Sequence, residues 1–212
     1  MKRRLMRIYH QLYSAFGPQR WWPAESSFEV IVGAILTQNT SWQNVEKAIL
    51  KLKIKKLLTA QIIQRISPKR LASVIRSSGF YNVKALRVKE FVKFFLKHYS
   101  GSIKKMSQQE LTPLRKQLLA VKGIGQETAD SILLYALNKP IFVIDTYTLR
   151  IFSRHGLIKE AADYIAVQNI FMRNLKCDTK LFNEYHALLV KLGKAFCRKQ
   201  NPKCERCPLH GQ

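Results

Sequence analysis

The sequence predicts an all-α fold, and three observations carry that expectation. Apolar residues recur at three- and four-residue spacing in segment after segment, Ser and Asp stand where helices need a first cap, and no run alternates apolar with polar residues as a half-buried strand does. The chain of 212 residues is 47% hydrophobic and 10% aromatic, enough to bury a core and too much for a disordered polybasic tail. Lys and Arg number 37 against 13 Asp and Glu, a formal charge of +24, so the expected partner is a polyanion. A membrane-spanning protein is excluded, because the longest tempting apolar stretch, Val30 to Leu36, falls far short of the roughly 20 residues a bilayer requires. Met1-Lys2-Arg3-Arg4 is not followed by the apolar region of a secretion signal, so the expected address is the cytoplasm, in association with the nucleoid. In that reducing setting the four cysteines read as ligands or core residues before disulfides.

The elements come in this order. Leu5, Ile8, Tyr9, Leu12, Tyr13 and Phe16 describe an amphipathic helix docked on a core. Ser26 with Glu29 forms a capping box for a helix running toward Leu36, and Thr40 or Ser41 opens another with Val45, Ala48, Ile49 and Leu52 on one face. Ser67-Pro68 supplies a cap and a first-turn proline, and Gly79 ends that segment. A helix over 82–98 is expected to turn Leu86, Phe91, Phe94 and Phe95 inward. Ser107 with Glu110 reads as a further capping box, for a helix ending near Ala120. Later helices are expected over 126–135, 146–155, 161–175 and 181–196, with Asp178 capping the last. Pro140 and Ile141-Phe142-Val143-Ile144 break the pattern, which places a central lobe at 23–139 and a terminal lobe at 1–22 plus 140–212. The polar tail after Cys197 needs a cross-link or a metal to stay folded. The lysine runs Lys51 to Lys56 and Lys84 to Lys97 read as solvated helix faces, which together still give strong, salt-dependent binding to DNA.

Val121-Lys122-Gly123-Ile124-Gly125 is the sharpest local signal. Two glycines around one apolar residue allow a tight turn whose N–H groups point outward at the start of the next helix, where a phosphate can sit. An ordinary helix–helix turn explains the glycines alone; the +24 charge favours the phosphate site.

The segment from Leu119 to Arg150, with Lys122-Gly123-Ile124-Gly125 and Val143-Ile144-Asp145-Thr146, resembles the helix-hairpin-helix and Gly/Pro…Asp region of the endonuclease III superfamily of DNA glycosylases. Leu36-Thr37-Gln38-Asn39-Thr40 and Cys197-x6-Cys204-x2-Cys207 extend the resemblance over most of the chain, in the right order. It implies a two-lobed fold that binds double-stranded DNA, flips a damaged base out and cleaves its glycosidic bond. Lys122, Gly123, Ile124, Gly125 and Thr128 would hold the duplex, and Gln38 would fill the hole left by the flipped base; otherwise Gln38 is a polar helix end. Asp145 would be the catalytic carboxylate, although Asp-Thr is also a good helix cap; both can hold.

Bifunctional members carry a lysine two residues after the last hairpin glycine, where this chain has Glu127, so a monofunctional enzyme is expected. Arg20-Trp21-Trp22-Pro23, Trp42 and Ser78-Gly79-Phe80-Tyr81-Asn82 look like the 3-methyladenine branch. Trp21, Trp22, Pro23 and Trp42 would then form a base pocket suited to a cationic methylated purine, the alternative being that the tryptophans are core. The cysteine spacing implies a [4Fe–4S] cluster on Cys197, Cys204 and Cys207, with the fourth position of the pattern falling one residue past Gln212. A zinc site recruiting His210 is the alternative, and Cys177 reads as a buried free thiol. Nothing requires more than a monomer. The rivals are a bifunctional oxidised-pyrimidine glycosylase and lyase, and a catalytically silent DNA-binding module.

Overall fold

A computed structural model describes residues 1–211, and among these the regular structure is entirely helical. The chain opens with α1 (Lys2–Phe16), whose Leu5, Ile8 and Leu12 are buried while Tyr13 stays exposed. It then builds one compact unit over Ala24–Lys139 and returns to complete a second, made of Met1–Pro23 and Pro140–Gln212.

The central unit contains α2 (Ser27–Leu36), α3 (Trp42–Ile54), α4 (Ala60–Arg65), α5 (Pro68–Val74), α6 (Tyr81–Tyr99), α7 (Ile103–Ser107), α8 (Leu111–Leu119) and α9 (Gln126–Ser131). α9 runs on through a wide turn, Ile132–Ala136, closed by Leu137 N–H donating to the Ile132 carbonyl at 3.2 Å. α2 is apolar all round because it lies among α3, α6 and α9. Its cap forms with Ser26 accepting from Glu29 N–H, but the Glu29 carboxylate turns to the Glu25 N–H and to Lys53. Ser67 caps α5 as expected.

Two expectations fail for physical reasons. Ser107 does not open α8; it closes α7, donating to the Lys104 carbonyl, while Ser102 caps α7 and Glu110 precedes α8. The inner face of α6 is Lys84, Ala85, Val88, Phe91, Val92, Phe95 and Tyr99, with Leu86 left 54% exposed. Lys84 takes the inward place because its apolar stem crosses the core and its Nζ meets two carbonyls left over at the ends of helical turns, Leu36 at 2.8 Å and Ser78 at 2.5 Å. Lys89 does the same for Ile63 and Ile66 at the end of α4. These two lysines are therefore not solvated faces.

The other unit joins α1 to α10 (Thr146–Arg154), α11 (Tyr164–Asn174) and α12 (Thr179–Ala195). Phe142 and Phe171 stack with centroids 3.8 Å apart, and the Tyr185 hydroxyl donates to the Leu5 carbonyl at 2.8 Å, stitching α12 to α1. Asp163 caps α11, so that helix starts after the expected Ala161, and Asp178 caps α12. Cys177 is exposed, which corrects its reading as a buried thiol. No described helix is long and apolar enough to cross a membrane.

Candidate functional site

In the central unit the hairpin lies between α8 and α9. Ile124 N–H donates to the Val121 carbonyl at 3.0 Å and the Ile124 side chain is buried, which anchors the turn while Lys122, Gly123 and Gly125 face solvent. Gly123 has φ +87°, a conformation that side chains disfavour. Beneath the turn Arg115 of α8 grips Asp130 of α9 with two bonds, 2.6 and 3.0 Å, and the Asp130 carboxylate is fully buried. The N-terminus of α9 follows Gly125 directly, and Lys122 is exposed three residues before that glycine. Glu127 is exposed on the first turn of α9.

Gln38 does not point away from the hairpin. Its Nε2 donates to the Gly123 carbonyl at 3.0 Å and to the Thr128 hydroxyl at 2.9 Å, and its Oε1 accepts from Arg87 of α6. Thr128 is itself buried, so it serves this internal bond. At the head of α6, Phe80 stands 71% exposed at φ 45°. An apolar ring held out in this way can wedge between bases. Trp42, at the start of α3, is half-buried.

In the other unit Asp145 is 8% exposed and caps α10, with Oδ1 accepting from Thr148 N–H at 2.7 Å. Its Oδ2 lies 3.6 Å from Nε2 of His186, on α12. Burial alone would push the carboxyl up; His186 and the Thr148 N–H outweigh that and hold it below the ordinary carboxylate range. A buried carboxylate kept charged in this way can stabilise positive charge developing beside it. His186 carried no sequence signal, since a histidine on an apolar helix is ordinarily core; Arg87 carried none either. In the same unit Trp21 and Trp22 are half-buried with rings 5.2 Å apart, and Pro23 is exposed.

The cysteine tail has supports of another kind. Arg150 donates to the carbonyls of Cys197 (2.7 Å) and Gly193 (3.3 Å), Arg154 to those of Arg198 (2.7 Å) and Lys199 (3.0 Å), and Leu209 is fully buried. Cys197 is buried, Cys204 exposed and Cys207 half-buried, while His210 Nδ1 lies 3.1 Å from the Cys204 carbonyl. Among the described residues no three His, Cys, Asp or Glu side chains are grouped to hold a metal ion.

The family model of the HhH-GPD superfamily of base excision DNA repair proteins matches residues 32–177. The chain belongs to that superfamily. This HhH-GPD chain is 48% identical to a protein of Methanocaldococcus jannaschii provisionally named DNA repair glycosylase MJ1434, over 97% of its own length and 93% of that relative's. Endonuclease III of Thermotoga maritima is 30% identical over 86% of this chain and 80% of its own. Among solved structures, the Helicobacter pylori 3-methyladenine DNA glycosylase MagIII bound to 1,N6-ethenoadenine superposes with a TM-score of 0.79 at 31% identity, over 90% of this chain and 97% of that one. The protein is thus a DNA repair glycosylase of the HhH-GPD type.

Proposed function

We propose that this HhH-GPD glycosylase removes an alkylated, 3-methyladenine-like base from duplex DNA and leaves an abasic site. The observation that carries the reading is Glu127: where the resemblance places the lysine of bifunctional members stands an exposed carboxylate, which cannot form a Schiff base. Asp145 is the proposed catalytic group. Cleaving an N-glycosidic bond builds positive charge on the sugar, and a carboxyl held below its ordinary range serves better to stabilise that charge than to take a proton from water. An alkylated purine is already cationic and departs neutral, so it needs no acid to protonate it.

Trp21, Trp22 and Pro23 of the terminal unit are proposed as base-stacking residues, and so, independently, is Trp42 of the central unit. Support comes from the half-buried state of the three tryptophans, whose faces suit a cationic base, and from the relative bound to ethenoadenine. Lys122, Gly123, Ile124, Gly125 and Thr128 form the proposed duplex-binding hairpin with Gln38 beside it. Cys197, Cys204 and Cys207 would supply three thiolates to a [4Fe–4S] cluster, a part of the proposal that rests on spacing alone; iron and sulfide assays of the purified protein decide it, and no reaction step runs through it. The working form is proposed to be a cytoplasmic, nucleoid-associated monomer.

The test uses end-labelled duplexes carrying 3-methyladenine or an oxidised pyrimidine, scored for strand breaks before and after hot alkali. Breaks on the alkylated duplex only after alkali are expected. Breaks without alkali at the oxidised pyrimidine would move the enzyme to the bifunctional branch, and no breaks at all would favour a silent binding module.

A further inference from the structure

Gln38 sits in a network that fixes more than its position. A carboxamide has one accepting end and one donating end, and its two orientations differ little in shape. Here each end meets a partner of single polarity. Arg87 has only donors and takes Oε1; the Gly123 carbonyl is only an acceptor and takes Nε2, joined by the Thr128 hydroxyl. Arg87 also lies along the hairpin itself, since a Cβ on Gly123 would collide with its Cγ, Cδ and Nε. One guanidinium on α6 thus touches the turn and the Gln38 side chain, which α2 and α3 bracket in sequence. A long cation on a helix ordinarily reads as a solvated face; this one is half-buried and turns its Nη1 inward to Gln38.

We propose that Arg87 is a positioning residue that locks the Gln38 carboxamide onto the hairpin, so that phosphate binding at the turn and placement of Gln38 at the duplex occur as one event. The proposal rests on the reading of Gln38 and the hairpin as the duplex-facing edge. It assigns Arg87 no contact with substrate. Its effect passes through Gln38, so its loss falls on base excision and spares the attraction of the hairpin and lysines for DNA, which is spread over many charges.

The experiment compares the full-length protein with Arg87→Met, Arg87→Lys, Gln38→Ala and Arg87→Met/Gln38→Ala. The side-chain amide pair of Gln38, found as the resonance missing from Gln38→Ala, is expected to move to the position of a free glutamine in Arg87→Met, with hydrogen exchange about tenfold faster. Single-turnover excision is expected to slow by about 10- to 100-fold in Arg87→Met, with duplex affinity and its salt slope unchanged. The double variant should be no slower than Gln38→Ala, because residues acting through one another do not add. Arg87→Lys keeps the charge without the fork and covers the case of a Met variant that folds poorly; its amide pair should also loosen. An unmoved Gln38 resonance in both variants, or a full additive loss in the double variant, overturns the proposal. Failure of the wild-type protein to excise any alkylated base sinks the activity proposed above, while the amide resonance still decides the role of Arg87.

Discussion

Asp145 and the hairpin pose opposite electrostatic problems. The carboxylate is almost wholly withdrawn from water and must be kept charged by two neighbours, His186 and the Thr148 N–H. The hairpin leaves Lys122, Gly123 and Gly125 in solvent, and as the proposed duplex-binding edge it would meet an anion with exposed groups. A buried charge concentrates its energetics in a few partners, because little water screens or replaces them. An exposed basic edge distributes its energetics, because each cation adds a small and salt-sensitive share. Single substitutions should therefore act steeply at Asp145 and in graded fashion along the hairpin.

The largest expected effect is that of Asp145→Asn. Asparagine still caps α10 but carries no charge, so excision should fall by about 1,000-fold while duplex affinity and melting temperature stay close to those of the parent. A loss of only a few-fold in single-turnover excision would reduce Asp145 to a helix cap. Next comes Gly123→Ala, which places a Cβ against Arg87 at φ +87°. At a strain of about 1–2 kcal/mol, duplex affinity measured by fluorescence anisotropy should drop by about tenfold, and parental affinity would show that the turn is not the binding edge.

The third prediction sharpens the comparison through pH. The Asp145 carboxyl lies below its ordinary value, so its stabilising charge is fully present above that value and is lost as pH falls through the depressed one. Replacing His186 with Gln removes the main cause of the depression and leaves burial, so the acid limb of the excision profile should move to higher pH. An unmoved limb would show that His186 does not govern Asp145.

The smallest effect tests the central unit's own buried charge. Burial first, and Arg87 second, push the Lys84 ammonium down to about 8 from 10.5. The folded chain thus releases this proton before the unfolded chain does, and between about pH 8 and 10.5 the unfolded state binds more protons. Lys84 should therefore contribute a rise in stability with pH across that window, one that denaturant titrations of Lys84→Met would no longer show. An identical slope in both proteins would mean that Lys84 titrates as an exposed lysine.

These residues also mark how far the sequence could be read. The hairpin was legible because Gly-Ile-Gly dictates a backbone conformation locally, and Ser26, Ser67, Asp145 and Asp178 were legible as caps because a cap bonds within three residues of itself. Ser107 misled because two serines five residues apart, Ser102 and Ser107, offer equivalent local chemistry, and tertiary packing chose the first. Lys84, Lys89 and Arg87 were illegible in principle. Their partners are carbonyls and an amide brought near by folding, and no spacing rule links residue 84 to 36 or 87 to 38. The tail repeats the lesson: Arg150 and Arg154 hold it from a helix more than 40 residues earlier. Asp145 could be proposed from the family pattern, but its His186 partner could not.

The wide turn at Ile132–Ala136 has a consequence for how this chain tolerates insertions and deletions. A turn closed from Leu137 back to Ile132 holds one residue more than an α-helical turn, as if a residue had been inserted there and accommodated in place. Ala129 through Leu134 are buried without a break, a run that no helix with a solvent face allows. Deleting one residue from this turn would restore ordinary helical spacing and rotate the downstream residues by about 100°, since 3.6 residues make a turn. A deletion-tolerant loop and this segment would look alike in length, but here the surplus residue sets the angular phase of the chain beyond it.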